Sequence, residues 1–559
     1  MTVRPVRLVA VALVCLSGAA SGQERRSTTM AHRSTVYAPH GMIATSQPLA
    51  TAAGLAVLEH GGNAIDAAAT AAAVLNVTEP MMTGIGGDMF AIVWSAKDRK
   101  LYGLNSSGRA GRLMTREALL ARGHRTMPTE NVEDVTVPGA LAGWDALLHR
   151  FGTITLAQAL APAIGYAEHG FPVTPIIARD WAAEVARLAR DDGARATFLV
   201  DGTRAPREGE WFTNPDLARS FRQIAAQGPA ALYGGELGQR IVARLGQLGG
   251  YLTLDDLREH RPEWVEPMSV PFKGYRVWEL PPNGQGVAAL EMLRMLEPYD
   301  LRALGHNSAP YLHLLIEAKK LAFADVAHYV GEPAAMQTPA TALLGDRFVA
   351  ARRALIDPHR AAERPEPGAA LTASETIYLT VADSTGNMVS FINSLFDAFG
   401  SGVVVPGTGF ALQDRGAGFT LDPGLPNTVA PGKRPFHTLI PGFVTKPDAQ
   451  GVEQPWMSFG VMGGSMQPQG HLQVLLNLLV FGMDLQDAVD APRFRHLGDR
   501  RVALETPIDD GVRRDLTVLG HLIADERAVA FGGAQAIIRL PHGYAGGSDP
   551  RKDGMAAGY

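Results

Sequence analysis

One cysteine stands in the whole chain of 559 residues, and it is Cys15, inside the first apolar stretch. That scarcity excludes a disulfide framework and a thiolate metal site and, past the first 22 residues, a cysteine nucleophile. No run of basic residues is present, and the net charge of −5 comes from interspersed acids and bases. Nucleic-acid binding and an electrostatic membrane anchor are poorly served by such a surface. Beyond the N-terminal stretch no segment has the roughly 20 uninterrupted apolar residues that a membrane span needs. His spacings of the metalloprotease kind, a Gly-x-Ser-x-Gly elbow with matched acid and base, internal repeats and long low-complexity tracts are missing too. With 46% hydrophobic and 19% charged residues, the composition is that of a globular protein. Small-molecule chemistry without metal or cofactor is the expectation.

The N-terminus differs from the rest. Arg4 and Arg7 precede apolar Leu8 to Leu16, and small residues follow up to Gly22. Ala20 and Gly22 suit a signal peptidase, so residues 1–22 read as a secretory leader cut before Gln23, with a periplasmic or secreted product. Leu13 and Val14 supply no small residue ahead of Cys15, which argues against lipidation.

Residues 46–76 read as two helices. Ser46 and Pro48 are start signals, Gly61 and Gly62 stop the first, and Asn63 caps the second. Thr83-Gly84-Ile85-Gly86-Gly87-Asp88 leads into a strand over Met89–Trp94; with no Lys-Ser/Thr pair after it, a phosphate loop is a weak reading. Residues 140–330 look mostly helical, broken by a loop at Pro281 to Gly286, with an amphipathic segment from Glu317 to Tyr329. Pro358 to Ser374 has three prolines and no periodicity, as exposed linkers do.

Directly after that linker the pattern alternates. Thr376 to Ala382 and Asn387 to Asn393 are β-rich, and Asp383-Ser384-Thr385-Gly386 is turn chemistry. A four-residue turn pairs 382 with 387 and 376 with 393, which leaves Ser394 one residue beyond, beside the Thr376 backbone. Two hydroxyls thus converge at the start of a strand; a plain edge hairpin fits these residues equally well. Gly400-Ser401-Gly402 and Pro406-Gly407-Thr408-Gly409 interrupt what read as further strands. Phe459 to Ser465 is a strand running into Gly463-Gly464, a pair that can aim consecutive N–H groups at one point or simply make a tight turn.

These segments together resemble the γ-glutamyltranspeptidases, of the N-terminal-nucleophile hydrolase superfamily. The likeness runs in order through Gly61 to Ala68, Gly84 to Phe90, Val137-Pro138-Gly139, Thr253 to Leu257 and Glu317 to Asp325. It continues through Thr376 to Gly402, Lys433-Arg434-Pro435, Gly463-Gly464, Asp490 to Phe494 and Gly547 to Tyr559. The resemblance implies an α+β fold, a four-layer αββα sandwich. It also implies a precursor that cuts itself between Glu375 and Thr376 into a large subunit (23–375) and a small one (376–559) that stay together. Thr376 would be the nucleophile, its freed α-amino group the base, Ser394 the orienting hydroxyl, and Gly463 and Gly464 the oxyanion pair. The partner would be a small γ-glutamyl or glutaryl amide.

The acyl pocket departs from the family's pattern. Arg415 and Gly418 stand where typical members have a Gln and an Asp that hold the substrate ammonium, and Phe396 replaces an Asn. His437-Thr438 replaces a serine pair. Ser107 takes the place of the carboxylate-binding Arg, with Arg109 two residues away as a replacement. Asp414 is the remaining acid able to meet an ammonium. The leading expectation is a γ-glutamyl hydrolase or transferase acting on glutathione-like amides. An acylase for glutaryl or related dicarboxylic monoamides is the alternative, and an inactive binding protein on the same scaffold a remote one.

Overall fold

A computed structural model describes residues 32–363 and 375–559. The stretch read as a leader, 1–22, and most of the stretch read as a linker, 364–374, lie outside the described residues. Fourteen strands build two antiparallel sheets. They are β1 (Val36–Ala38), β2 (Met42–Thr45), β3 (Asp88–Ser95), β4 (Lys100–Ser106), β5 (Glu263–Val265), β6 (Met268–Phe272) and β7 (Tyr275–Glu279). The rest are β8 (Glu375–Ala382), β9 (Met388–Phe396), β10 (Gly442–Pro447), β11 (Glu453–Met462), β12 (Gly533–Arg539), β13 (Tyr544–Ser548) and β14 (Met555–Gly558). One seven-stranded sheet runs β1-β13-β12-β11-β10-β7-β6, the other β14-β2-β8-β9-β3-β4-β5.

Alternation along the central strands explains the layering. On β8 and β9, Tyr378, Ile392 and Met388 point into the gap between the sheets, where they pack with Phe443, Met462 and Ile537 of the other sheet. Ile377, Leu379, Val381, Val389 and Phe391 point the other way, onto a helical layer that includes α1 (Pro48–Glu59) and α2 (Ala64–Thr78). The second sheet carries its own helices, α3 (Gly286–Leu296), α4 (Ala309–Tyr329) and α5 (Met466–Leu479), against Val277, Val444, Met457 and Phe459. Helix, sheet, sheet, helix is the four-layer αββα sandwich. No helix among the described residues is long and apolar enough to cross a membrane.

Several local expectations change. Asn63 caps α2 with a complete capping box as read, but α1 is capped by Gln47, whose side chain accepts from Leu49 and Ala50 N–H. Ser46 instead donates to buried Glu79. The stretch read as mostly helical contains β5, the edge of one sheet, and β7 and β6, which extend the other sheet to its edge; periodicity alone does not announce such short strands. α4 is buried nearly all round rather than amphipathic; its charges pair internally, Lys320 with Glu317 at 2.7 Å and Asp325 with Arg352 at 2.7 Å. After β9 no strand forms until β10; the glycine clusters shape loops, with an isolated bridge between Val404 and Ala411. The linker's first residues are pinned: Ala361 N–H donates to Leu519 O at 2.7 Å, and Ala362 N–H to Glu317 at 3.1 Å.

The hairpin register is shifted by one. Ala382 pairs with Met388 and Ile377 with Asn393, so Asn387 belongs to the loop. The cause is Asp383, whose carboxylate accepts from Thr385 N–H at 2.9 Å and Asn387 N–H at 3.1 Å and draws a fifth residue into the turn. A one-residue shift changes which side chains share a face. Thr376 therefore lies directly across from Ser394, on the face between the sheets.

Candidate active site

Thr376 is 1% exposed, and its Oγ1 donates to Ser394 Oγ at 3.3 Å. Between Glu375↔Phe396 and Ile377↔Asn393 the register slips. Ser394 and Leu395 together oppose Thr376, a β-bulge at the Glu375–Thr376 bond. The bulge lets Ser394 Oγ also accept from Phe396 N–H at 2.8 Å and turns Phe396 to φ +87°. A bulky residue in that region costs about 1–3 kcal/mol, so the surroundings must hold it there.

Arg415 helps hold it. Its guanidinium carbon lies 4.4 Å from the Phe396 ring centroid; Nη2 donates to Ser394 Oγ at 3.2 Å and Nη1 to Thr438 Oγ1 at 2.9 Å. The side chain is fully buried, and burial pulls it down to about 10, still charged at neutral pH. Asp88 lies near enough to oppose that drop. Burial would raise the Asp88 carboxyl, but the hydrogen bond from His437 and the charge of Arg415 hold it below its usual range. Its Oδ1 accepts from Gly108 N–H (2.9 Å), Gly139 N–H (3.0 Å) and Gln413 Nε2 (3.0 Å). His437 completes the support. Its Nε2 lies 3.2 Å from Asp88 Oδ2, Leu439 N–H donates to its Nδ1 at 3.2 Å, and burial and Arg415 push it down to about 3. His437 is therefore a neutral strut, with its ring 4.5 Å from Phe90.

Asp414 goes elsewhere. The loop is a 3₁₀ turn over Arg415–Gly418, so consecutive side chains diverge. Asp414 Oδ1 accepts from Asp397 N–H at 3.1 Å. Burial raises the Asp414 carboxyl, raises Asp397 to about 9 with help from Asp414, and raises Asp134 well above its ordinary value. Asp397 holds its proton at neutral pH, and Asp414, which accepts from the Asp397 N–H, is engaged there rather than at Ser394. Gly418 leaves no room for the family's Asp: a Cβ there would sit 2.5 Å from Phe436 O. Arg109 is also spoken for, by Glu263 at 3.1 Å, Gly432 O at 2.9 Å and Glu332.

On the other side of Thr376, β11 ends and Gly463 (φ +117°) and Gly464 (φ +58°) turn the chain into α5. Side chains other than glycine rarely adopt such angles, and the turn presents successive N–H groups. Thr376 and Gly463 share a small cleft with Met462, Gly532, Arg495, Arg527 and Lys552. Gln285, in the loop read only as a connection, ties both halves: its Nε2 donates to Thr438 O at 2.7 Å and to Gly464 O at 2.9 Å. Nothing local in the sequence marks Gln285 for this, since its two partners come from distant segments. Asp88 was visible only as part of a glycine-rich segment.

A hydroxyl nucleophile, a second hydroxyl beside it, turn amides and a buried cation suit acyl transfer through a Thr ester. Comparison with known proteins agrees. The γ-glutamyltranspeptidase family model matches residues 50–559. A glutathione hydrolase-like proenzyme of Bacillus subtilis, YwrD, is 37% identical, with 92% of this chain and 98% of the relative covered. An acylase proenzyme of a Pseudomonas species, ACY 1, is 38% identical over 90% of each chain. The crystal structure of a cephalosporin acylase from Bacillus halodurans superposes with a TM-score of 0.89 at 46% identity, covering 96% of this chain and 98% of that one. The chain belongs to the γ-glutamyltranspeptidase family of self-processing N-terminal-nucleophile amidohydrolases.

Proposed function

We propose that the mature enzyme hydrolyses amides whose acyl half ends in a carboxylate, glutaryl-type monoamides among them, and that an α-ammonium adds little to recognition. Arg415 carries this reading, as a buried guanidinium one hydroxyl away from Thr376. Guanidinium matches carboxylate geometry, and charge-assisted bonds of this kind are the strong ones. Among the described residues the acids nearest Arg415 are engaged elsewhere, Asp414 by the Asp397 N–H and Asp88 by Gly108, Gly139 and Gln413, and position 418 is glycine. The γ-glutamyl reading keeps support from the relative's name and from the same nucleophile geometry.

The chemistry starts with the precursor. Thr376 Oγ attacks the Glu375 carbonyl carbon, an ester forms as the C–N bond breaks, and the leaving nitrogen takes up the proton the hydroxyl gives off to become the new α-amine. Water then opens the ester, leaving large (23–375) and small (376–559) subunits. In turnover the amine takes the Thr376 proton as Oγ attacks the substrate amide, and gives it to the departing amine. Ser394 orients the hydroxyl, and the Gly463 and Gly464 N–H groups meet the oxyanion. Water or an acceptor amine releases the acyl group. The basic, apolar and small-residue order of residues 4–22 supports export to the periplasm or medium.

The test is kcat/KM for glutaryl and γ-glutamyl 4-nitroanilides on the purified enzyme. Any preference for the γ-glutamyl anilide over the glutaryl one stays below about tenfold, or about 1.4 kcal/mol. A γ-glutamyl preference of 100-fold or more would overturn the acyl assignment.

A further inference from the structure

Phe396 keeps a bulky side chain at φ +87°, and the Arg415 contact reaches only its ring. Its backbone is held by Asp414. Asp414 N–H donates to Leu395 O at 3.2 Å, and Asp414 Oδ1 accepts from Asp397 N–H at 3.1 Å. One residue thus binds the peptide groups on both sides of Phe396, and the same residue directly precedes Arg415. Fixing Asp414 fixes the two side chains that meet at Ser394.

Asp414 has an oxygen to spare. It is fully buried, and its Oδ2 receives no N–H or hydroxyl among the described residues. A buried acceptor left empty is costly. The Asp397 and Asp414 carboxyl groups stand within hydrogen-bonding reach of each other. A proton on Asp397 serves the empty acceptor, whereas two bare carboxylates at that distance would repel. The neighbouring charges leave the pair to itself. Arg187 faces both acids, but it donates to Ala398 O and, at 3.0 Å, to Gly400 O, and it pairs with Glu130 at 2.5 Å and Glu184 at 3.2 Å. Glu130 faces Asp397, Asp134 faces both acids, and Arg415 faces both from the Ser394 side. Burial, with Asp414 beside it, lifts Asp397 to about 9, so the proton stays in place at neutral pH.

We infer that Asp397 and Asp414 form a carboxyl–carboxylate clasp, a positioning pair that holds Phe396 and Arg415 against Ser394 and so governs capture of the acyl carboxylate. The inference rests on Arg415 as the acyl-side cation. Both acids act through their neighbours. While the clasp is closed, Arg415 keeps its direction toward Ser394 and Thr438. Once the shared proton leaves, two anions push residues 395–397 away from 414, and carboxylate capture weakens while the nucleophile and its amine stay as they are.

The experiment measures kcat/KM for glutaryl 4-nitroanilide and for pentanoyl 4-nitroanilide, which has the same chain length and no carboxylate, in mature wild type, Asp397→Ala and Asp397→Asn. Their ratio reads carboxylate capture, because nucleophile, base and leaving group are common to both. An amide at position 397 still donates to Asp414 but has no proton to lose. The ratio is expected to fall about tenfold in Asp397→Ala and to stay within about twofold of wild type in Asp397→Asn. The clasp is complete well below pH 9 and is lost as pH rises through it, so between pH 7.5 and pH 9.5 the wild-type ratio should fall about threefold and that of Asp397→Asn stay level. Any titration of Arg415 enters both profiles alike. A residue that merely supports the fold would lower both anilides together and leave the ratio unchanged. Either of two results overturns the clasp: a ratio unchanged in Asp397→Ala, or a wild-type ratio that stays level to pH 9.5 or falls equally in Asp397→Asn. The second stands by itself should Asp397→Ala fail to self-cleave. A wild type that takes pentanoyl and glutaryl anilides equally well would sink the Arg415 reading, and the clasp with it; a glutaryl preference that Asp397→Ala keeps sinks the clasp alone.

Discussion

Replacing Arg415 by Gln removes the charge at the acyl side while keeping a polar side chain. The loss to the fold is bounded by the contacts on view. Arg415 makes two hydrogen bonds to hydroxyls and lies over Phe396, worth together about 2–4 kcal/mol. Asp88 is not stranded, because Gly108, Gly139, Gln413 and His437 still serve it. The effect on substrate is larger and asymmetric. A glutaryl carboxylate loses about 3 kcal/mol of charge-assisted bonding, which is about 100-fold in kcat/KM. A γ-glutamyl group loses the same partner but is relieved of repulsion between its ammonium and Arg415. At about 6 Å and an effective dielectric constant of about 20 that repulsion is about 2–3 kcal/mol. The γ-glutamyl substrate therefore falls by less than about tenfold, and the γ-glutamyl to glutaryl ratio rises by at least about tenfold. Steady-state kinetics on the two nitroanilides measure it, with self-cleavage and melting temperature as checks on folding and Arg415→Lys as the charge-retaining control. An equal fall on both substrates would show that Arg415 only supports Ser394, and an unchanged glutaryl rate would remove it from the acyl site.

Other outcomes follow from the same geometry. Purified wild type gives two chains, the smaller about a third of the precursor and beginning at Thr376 by N-terminal sequencing; Thr376→Ala stays whole and inactive, and an intact, fully active wild type would refute the scheme. Burial raises Glu79 to about 7, so the folded state holds its proton more tightly than the unfolded state. Stability from this group is complete below about pH 4.5 and is lost as pH rises through 7, by about 3 kcal/mol. Glu79→Gln should flatten the melting temperature between pH 5 and pH 8, and a slope identical to wild type would contradict the assignment. Activity of the mature enzyme should survive EDTA and thiol reagents, since the sequence past Cys15 holds no cysteine; a loss in EDTA restored by zinc would count against a metal-free mechanism.

The sequence by itself determined the hairpin, its two hydroxyls, the diglycine after a strand and the cap of the second helix, because each depends on contacts within a few residues. Asn63 capping α2 is such a case, and so is the alternation that turns one face of Thr376 to Ala382 toward the other sheet. The register was missed by one because Asp383 recruits Asn387 through a side-chain turn, a choice settled by two hydrogen bonds of short range but not by residue type. The direction of Asp414 and Arg415 belonged to the tertiary structure alone. Which of two neighbours meets Ser394 depends on a 3₁₀ turn packed against Asp134 and Asp397, which come from two separate earlier segments of the chain. Arg109 looked like a spare carboxylate binder until Glu263 and Glu332 claimed it. Gln285 carried no local signal at all. Its role arises where loops distant in sequence close on the ends of β8 and β11, because its partners Thr438 and Gly464 come from separate segments.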